Sequence, residues 1–182
     1  MITLISGRAG EGKSAFAHAC QDVLVKEHNI SSATIPFARM VKDTALFMGW
    51  DGEKDDKGRK LLQEIGNVGR AYDIDIWARH AAEFINSHPA EFEFVFIDDW
   101  RFPNEGKYIQ EHFWPSQTVR IFRPKQFHAL LNTPLYNDVS EISLPETLEY
   151  YDHIVDNSGT LNDLKESAKK FVADTLIPSR GK

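Results

Sequence analysis

The chain has 182 residues, 42% of them hydrophobic and 26% charged, which suits one packed domain that needs no staples. Its formal net charge of −6 speaks against a general nucleic-acid backbone binder, and its single cysteine, Cys20, excludes an internal disulfide. No apolar run approaches membrane-spanning length and no basic region precedes a long apolar stretch at the N-terminus, so a cytoplasmic protein without membrane attachment is expected.

Residues 2–6 (Ile-Thr-Leu-Ile-Ser) are short, apolar and partly β-branched, and read as a buried strand. A glycine-rich turn follows, then a helix from about Lys13 to His28. Phe16, Ala19, Cys20, Val23 and Leu24 recur in it at helical spacing, which makes Cys20 a buried thiol rather than a nucleophile. Residues 33–38 read as a second strand, with Pro36 near its end. Arg39 to about Ser87 reads as helical, broken near Gly49–Gly58 by a polar, mobile loop and again near Gly66–Asp73.

A strand through Phe92–Ile97 meets Asp98-Asp99. Asn104 is placed to cap a short helix through Tyr108 and Ile109. Thr118–Phe122 is another strand, ended by Arg123-Pro124; residues 125–150 are irregular or weakly helical, and His153–Val155 is the last strand. Thr160 caps a final helix with Asp163 at the capping-box position, and Leu161, Leu164, Ala168, Phe171 and Val172 supply its core face. Strands alternating with helices imply a mainly parallel sheet covered on both faces.

Gly7-Arg8-Ala9-Gly10-Glu11-Gly12-Lys13-Ser14 has the Walker A spacing: a glycine, four free positions, then Gly-Lys-Ser. It sits between an apolar strand and an amphipathic helix, where main-chain N–H groups and the helix N-terminus cradle phosphate oxygens. Lys13 is expected to reach the β- and γ-phosphates of ATP, and Ser14 to ligate Mg²⁺. Glu11, an acid inside an anion site, is expected to face solvent.

A P-loop needs an acidic partner at the end of a neighbouring strand. Phe94-Val95-Phe96-Ile97-Asp98-Asp99 has that form, and one of the two carboxylates should serve the metal or the acceptor oxygen. Arg101 follows two residues on, and a guanidinium binds phosphate bidentately as lysine does not. Arg70, Arg79, Arg120 and Arg123 are further cations, of which two or three are needed. Phe37, Trp50, Tyr72, Trp77 and Trp100 lie near these segments; one or two are candidates to hold a base and the rest belong to the core. The histidines show no metal-ligand spacing, so no zinc site is expected.

Five segments resemble the bacteriophage deoxynucleoside monophosphate kinase family of P-loop kinases. They are Gly7–Ser14, Phe37–Lys42, Gly66–Trp77, the block Asp99-Trp100-Arg101-Phe102-Pro103-Asn104-Glu105, and Asp156–Leu161. The resemblance implies a three-layer α/β/α P-loop NTPase fold around a five-stranded parallel sheet, with ATP at the P-loop and the acceptor opposite. It makes Asp99, rather than Asp98, the functional carboxylate and metal ligand, and Arg101 a ligand of the acceptor phosphate or transition state. It places Phe37, Lys42, Arg70 and Asp75 on the acceptor side with Trp77, and Asn157 beside the adenine. Arg123 and the Ser140-Glu141 pair fall in the lid region. Trp100 stands where that family commonly has a small aliphatic residue.

The chain is thus expected to be one domain over 1–182, with a helical acceptor-binding insertion at 39–88 and a lid-like segment at 125–150. The expected activity is transfer of the γ-phosphoryl group of Mg·ATP to a (deoxy)nucleoside monophosphate, by Lys13, Asp99, Arg101 and Arg123. Its expected partners are small nucleotides, with no stable nucleic-acid binding, and it is expected to act as a monomer or homodimer. A small-metabolite kinase of the dephospho-coenzyme A kinase type and a non-catalytic ATP-binding switch remain as alternative readings.

Overall fold

The computed structural model describes residues 1–88, 91–124, 139–145 and 148–180. Five strands, β1 (Ile2–Ser6), β2 (Ser32–Thr34), β3 (Phe94–Trp100), β4 (Ser116–Phe122) and β5 (His153–Asp156), form one parallel sheet in the order β2-β3-β1-β4-β5. Helices α1 (Lys13–His28), α2 (Arg39–Phe47), α3 (Asp56–Tyr72), α4 (Ile76–Ser87), α5 (Pro103–His112) and α6 (Leu161–Phe171) complete a three-layer α/β/α fold.

The apolar runs of the central strands explain the layering. Phe94 and Phe96 of β3 pack with Phe16, Cys20 and Leu24 of α1 and Leu164 and Phe171 of α6. Val95 and Ile97 face the other way, into Val41 of α2, Trp77 and Ala78 of α4 and Ile109 of α5. A strand buried on both faces has no polar alternation, which is why β1 and β3 read as continuous apolar runs. Burial pushes the Cys20 thiol above its ordinary range, as expected of an inert core thiol.

Register brings the chemistry to one edge. Ser6, the last residue of β1, stands level with Trp100 of β3 and Arg120 of β4. The β1–β3 pairing shifts between Leu4, paired with Ile97, and Ser6, paired with Trp100, so the extra residue falls at Asp98-Asp99. The P-loop, both aspartates and the end of β4 therefore share the carboxyl edge of the sheet, where open α/β sheets bind ligands.

Several elements differ from the sequence reading. β2 ends at Thr34, before Pro36. α3 is unbroken through Gly66 and Gly69, because those glycines are spaces rather than breaks. A Cβ on Gly69 would lie 2.2 Å from the Trp77 ring, and one on Gly66 would lie 3.2 Å from the Arg70 guanidinium. Asn104 does not cap α5; its amide donates to the Ile74 carbonyl at 2.9 Å and to Asp75 at 3.0 Å, while Pro103 opens the helix and Glu105 takes the cap amides. Thr160 and Asp163 do form the capping box of α6, but Leu161 is exposed. Of the lid-like segment, residues 125–138 and 146–147 lie outside the described residues; a helical turn at Val139–Ile142 and a 3-10 turn at Leu148–Tyr150 are seen.

Candidate active site

The turn after β1 is built as an anion cradle. Gly10 and Gly12 have φ of 77° and 100°, a region closed to most side chains. A Cβ on Gly12 would also meet the Asn157 amide at 2.5 Å. The Lys13 ammonium is folded over the loop and donates to the carbonyls of Gly7 at 2.7 Å and Arg8 at 2.9 Å. The N-terminus of α1 opens at the same place, with the amides of its first turn unused by the helix.

Glu11 contradicts its expected solvent exposure. It is 0% exposed, and its carboxylate accepts from the Arg8 amide at 2.6 Å and from Arg120 at 2.5 Å. Arg120 is thereby committed to the underside of the loop. Arg123 follows β4, with its main-chain N–H toward Glu11 at 3.5 Å. Asn157 is buried and donates to the Glu11 carbonyl at 2.9 Å, so it touches the loop's main chain directly.

The two aspartates bond different partners. Ser14 Oγ donates to Asp98 Oδ2 at 2.5 Å. Asp99 instead accepts from the main-chain amides of Phe37 at 2.8 Å and Ala38 at 3.0 Å. The irregularity in the β1–β3 pairing falls at these two residues, and their carboxylates leave it toward different elements, Asp98 to the first turn of α1 and Asp99 to the segment before α2. Serine hydroxyl and carboxylate together are hard oxygen donors fit for Mg²⁺, which takes one or two carboxylates and completes its shell with phosphate and water. Among the described residues no cluster of three or more His, Cys, Asp or Glu offers an all-protein metal cage.

Beside the loop lies a cavity of about 270 Å³. Ala9 of the P-loop borders it, and Phe37, Lys42, Arg70, Trp77, Asp99 and Arg101 from the sequence reading meet there. Lys54 and Arg59 join them without having been expected. The signal for Arg59 was present: Arg59, Leu62, Gln63, Gly66 and Arg70 recur at helical spacing and form the cavity face of α3. The loop before α3 is tied rather than loose. Trp50 Nε1 donates to the Glu53 carbonyl at 2.9 Å, the Asp55 side chain caps Gly58 at 2.7 Å, and Arg59 Nε holds the Lys54 carbonyl at 2.8 Å.

Arg70 stacks over the Phe102 ring at 4.4 Å and donates to Asn67 at 2.9 Å. Glu105, buried at the cavity wall, accepts the amides of Arg101 and Phe102 at 3.1 and 3.0 Å, fixing the main chain that carries Arg101. Burial is the main cause that pushes its carboxyl up to about 7, against those two hydrogen bonds. Burial likewise raises the Asp99 carboxyl, with the Ala38 amide opposing.

Other expected site residues lie elsewhere. Asp75 is outside the cavity, its carboxylate accepting from Asn104. Arg79 pairs with Asp73. Trp77 forms a wall with its indole N–H on the Gly66 carbonyl at 3.0 Å. Trp100 is core: its ring lies over Gly106 and stacks on Tyr150, so its bulk points away from the cavity. Tyr72 is exposed. The Ser140-Glu141 side chains lie outside the described residues.

No protein-family model matches the chain. It is 30% identical over 174 residues to the uncharacterized protein ORF77 of Ictalurid herpesvirus 1 (strain Auburn), covering 95% of this chain and 68% of that protein. Among solved structures it resembles the Mycobacterium tuberculosis APS kinase CysC in complex with AMPPNP and APS, with a TM-score of 0.53, 15% identity, and 97% and 96% of the two chains covered. It also resembles a sugar kinase from Janibacter sp. HTCC2649 (TM-score 0.52, 13% identity, 96% and 95% covered). Shikimate kinase from Aquifex aeolicus gives a TM-score of 0.50 at 13% identity, with 95% and 98% covered. The fold is that of P-loop kinases. Among the described residues, no helix is long and apolar enough to cross a membrane.

Proposed function

The chain belongs to the family of the herpesvirus protein ORF77, and we propose that it transfers the γ-phosphoryl group of Mg·ATP to the phosphate of a (deoxy)nucleoside monophosphate. One observation carries this reading. The cavity bordering the P-loop is lined by Lys42, Lys54, Arg59, Arg70 and Arg101, a cationic wall suited to an anionic acceptor. The residue resemblance to phage deoxynucleoside monophosphate kinases supports the same acceptor class.

In this reading the P-loop amides and Lys13 hold the donor polyphosphate. Lys13 exchanges two loop carbonyls for phosphate oxygens, so its charge is already at the mouth of the cradle. Ser14 and Asp98 would hold Mg²⁺, which when bound neutralises charge on the β- and γ-phosphates. An oxygen of the acceptor phosphate attacks the γ-phosphorus, and the bond from that phosphorus to the β–γ bridging oxygen breaks, leaving ADP. Arg101 and Arg70 offset the charge that gathers on the transferring group and the acceptor. Asp99 orients the segment carrying Phe37, Lys42 and the start of α2 rather than the metal.

A hydroxyl acceptor, as in a dephospho-coenzyme A kinase, asks for a carboxylate base. Asp99 and Glu105 already accept two main-chain hydrogen bonds each, which favours a phosphate acceptor that needs no base. The test is ADP release measured across nucleoside monophosphates, their deoxy forms and non-nucleotide alcohols. Release that depends on a monophosphate supports the reading. Release driven only by an alcohol, or ATP binding without transfer, would replace it.

A further inference from the structure

Glu11 fills a free position of the P-loop motif, yet its side chain is fully buried and paired. Its carboxylate takes the Arg8 amide at 2.6 Å and the Arg120 guanidinium at 2.5 Å, and the two side chains are 0% and 8% exposed. Arg120 stands level with Ser6 in the β1–β4 pairing and also donates to the Ile121 carbonyl. The Glu11 carbonyl accepts from Asn157 Nδ2 at 2.9 Å, and the Asn157 amide is fixed on the Phe122 carbonyl at 2.8 Å. One loop residue is therefore tied by its side chain to the end of β4 and by its main chain to the loop after β5.

Peptide planarity turns these ties into directions. The C=O and N–H of a trans peptide point opposite ways. The Gly7 carbonyl faces the Lys13 ammonium, so the Arg8 N–H points to the other side, where the Glu11 carboxylate receives it. The Glu11 carbonyl faces Asn157, so the Gly12 N–H points away from Asn157. A buried ion pair is a poor source of net stability, since desolvation offsets its attraction and a well-packed apolar pair would serve as well. What this pair adds is a fixed geometry under an anion cradle.

Resting on the reading that the loop holds a donor polyphosphate, we infer that Glu11 and Arg120 are positioning residues. They fix the loop's amide directions and so set the affinity for the donor triphosphate, with Asn157 as the main-chain anchor.

The experiment titrates Mg·ATP into the full chain by calorimetry, with KM values for ATP and acceptor and melting curves alongside. It compares wild type, Glu11→Gln, and the double variant Glu11→Leu with Arg120→Met. Glu11→Gln should weaken Mg·ATP about tenfold or more and raise KM for ATP, leaving the acceptor KM unchanged. The double variant removes both buried charges and should recover the melting temperature, yet stay weak for Mg·ATP because the Arg8 amide has lost its carboxylate. Unchanged affinity in Glu11→Gln would overturn the inference. So would affinity that returns with melting temperature in the double variant, which carries the test alone if Glu11→Gln does not fold. A wild-type protein that binds no Mg·ATP would overturn the nucleotide reading as well, whereas the other two outcomes leave it standing.

Discussion

In the P-loop a single contiguous stretch, Gly7–Ser14, makes the turn, and its shape comes from main-chain direction and a buried clamp. The cation-lined cavity next to it draws on the start of α2, the loop before α3, one face of α3 and the end of β3. In the proposed reading the first region acts through peptide dipoles together with the Lys13 ammonium, and the second through long cationic side chains, each replaceable on its own. Loss of a donor-side charge should therefore strike turnover, while loss of an acceptor-side cation should strike the acceptor KM.

The largest expected effect is Lys13→Ala, which should lower turnover about a thousandfold or more with the fold intact by circular dichroism, because it removes charge from the transition state. Turnover near wild type would end the phosphate role of the loop. Next come the aspartates. Asp98→Asn should cut Mg²⁺-dependent turnover about a hundredfold and raise the magnesium requirement. Asp99→Asn should instead raise the acceptor KM and lower stability by about 1–3 kcal/mol, since one of two main-chain amides loses its acceptor. The reverse pattern in metal titrations would return the metal to Asp99.

Arg59→Ala is expected to raise the acceptor KM about tenfold with little change in kcat, as a charge-assisted contact made in ground and transition state alike. An effect on ATP affinity alone would place Arg59 on the donor side. A last effect bears on stability rather than turnover and concerns pH. The Glu105 carboxyl sits at about 7 in the fold against an ordinary 4.5, so the folded state keeps a proton that the unfolded chain releases between those values. Its contribution to stability is present in acid and is lost as pH rises through that window, by about 3 kcal/mol in all. Denaturant melts from pH 5 to 8 should show wild type losing stability relative to Glu105→Gln; parallel curves would remove the buried-carboxyl argument.

The donor region could be read ahead because its information is local: strand, glycine turn and helix adjoin in sequence, as do Thr160 and Asp163 at α6. Glu11 escaped because its partner Arg120 lies 109 residues away and no local rule buries an acid in a P-loop. The separate partners of Asp98 and Asp99 are not legible in the sequence, because Ser14 lies 84 residues from the first and Phe37 lies 62 from the second. Gly66 and Gly69 read as helix breaks in the sequence, because the room they leave for Arg70 and Trp77 is visible only once α3 packs on α4. Arg59 needed the cavity face of α3 to be recognised as a line of residues rather than as a solvated surface.

In the proposed function a phosphate in the cation-lined cavity receives the γ-phosphoryl group. Single-turnover transfer from γ-labelled ATP, with each deoxynucleoside monophosphate in turn and Lys13→Ala as control, tests it most directly. Label is expected in a nucleoside diphosphate with wild type and none with the control. Label found only in inorganic phosphate, or on a hydroxyl, would contradict it.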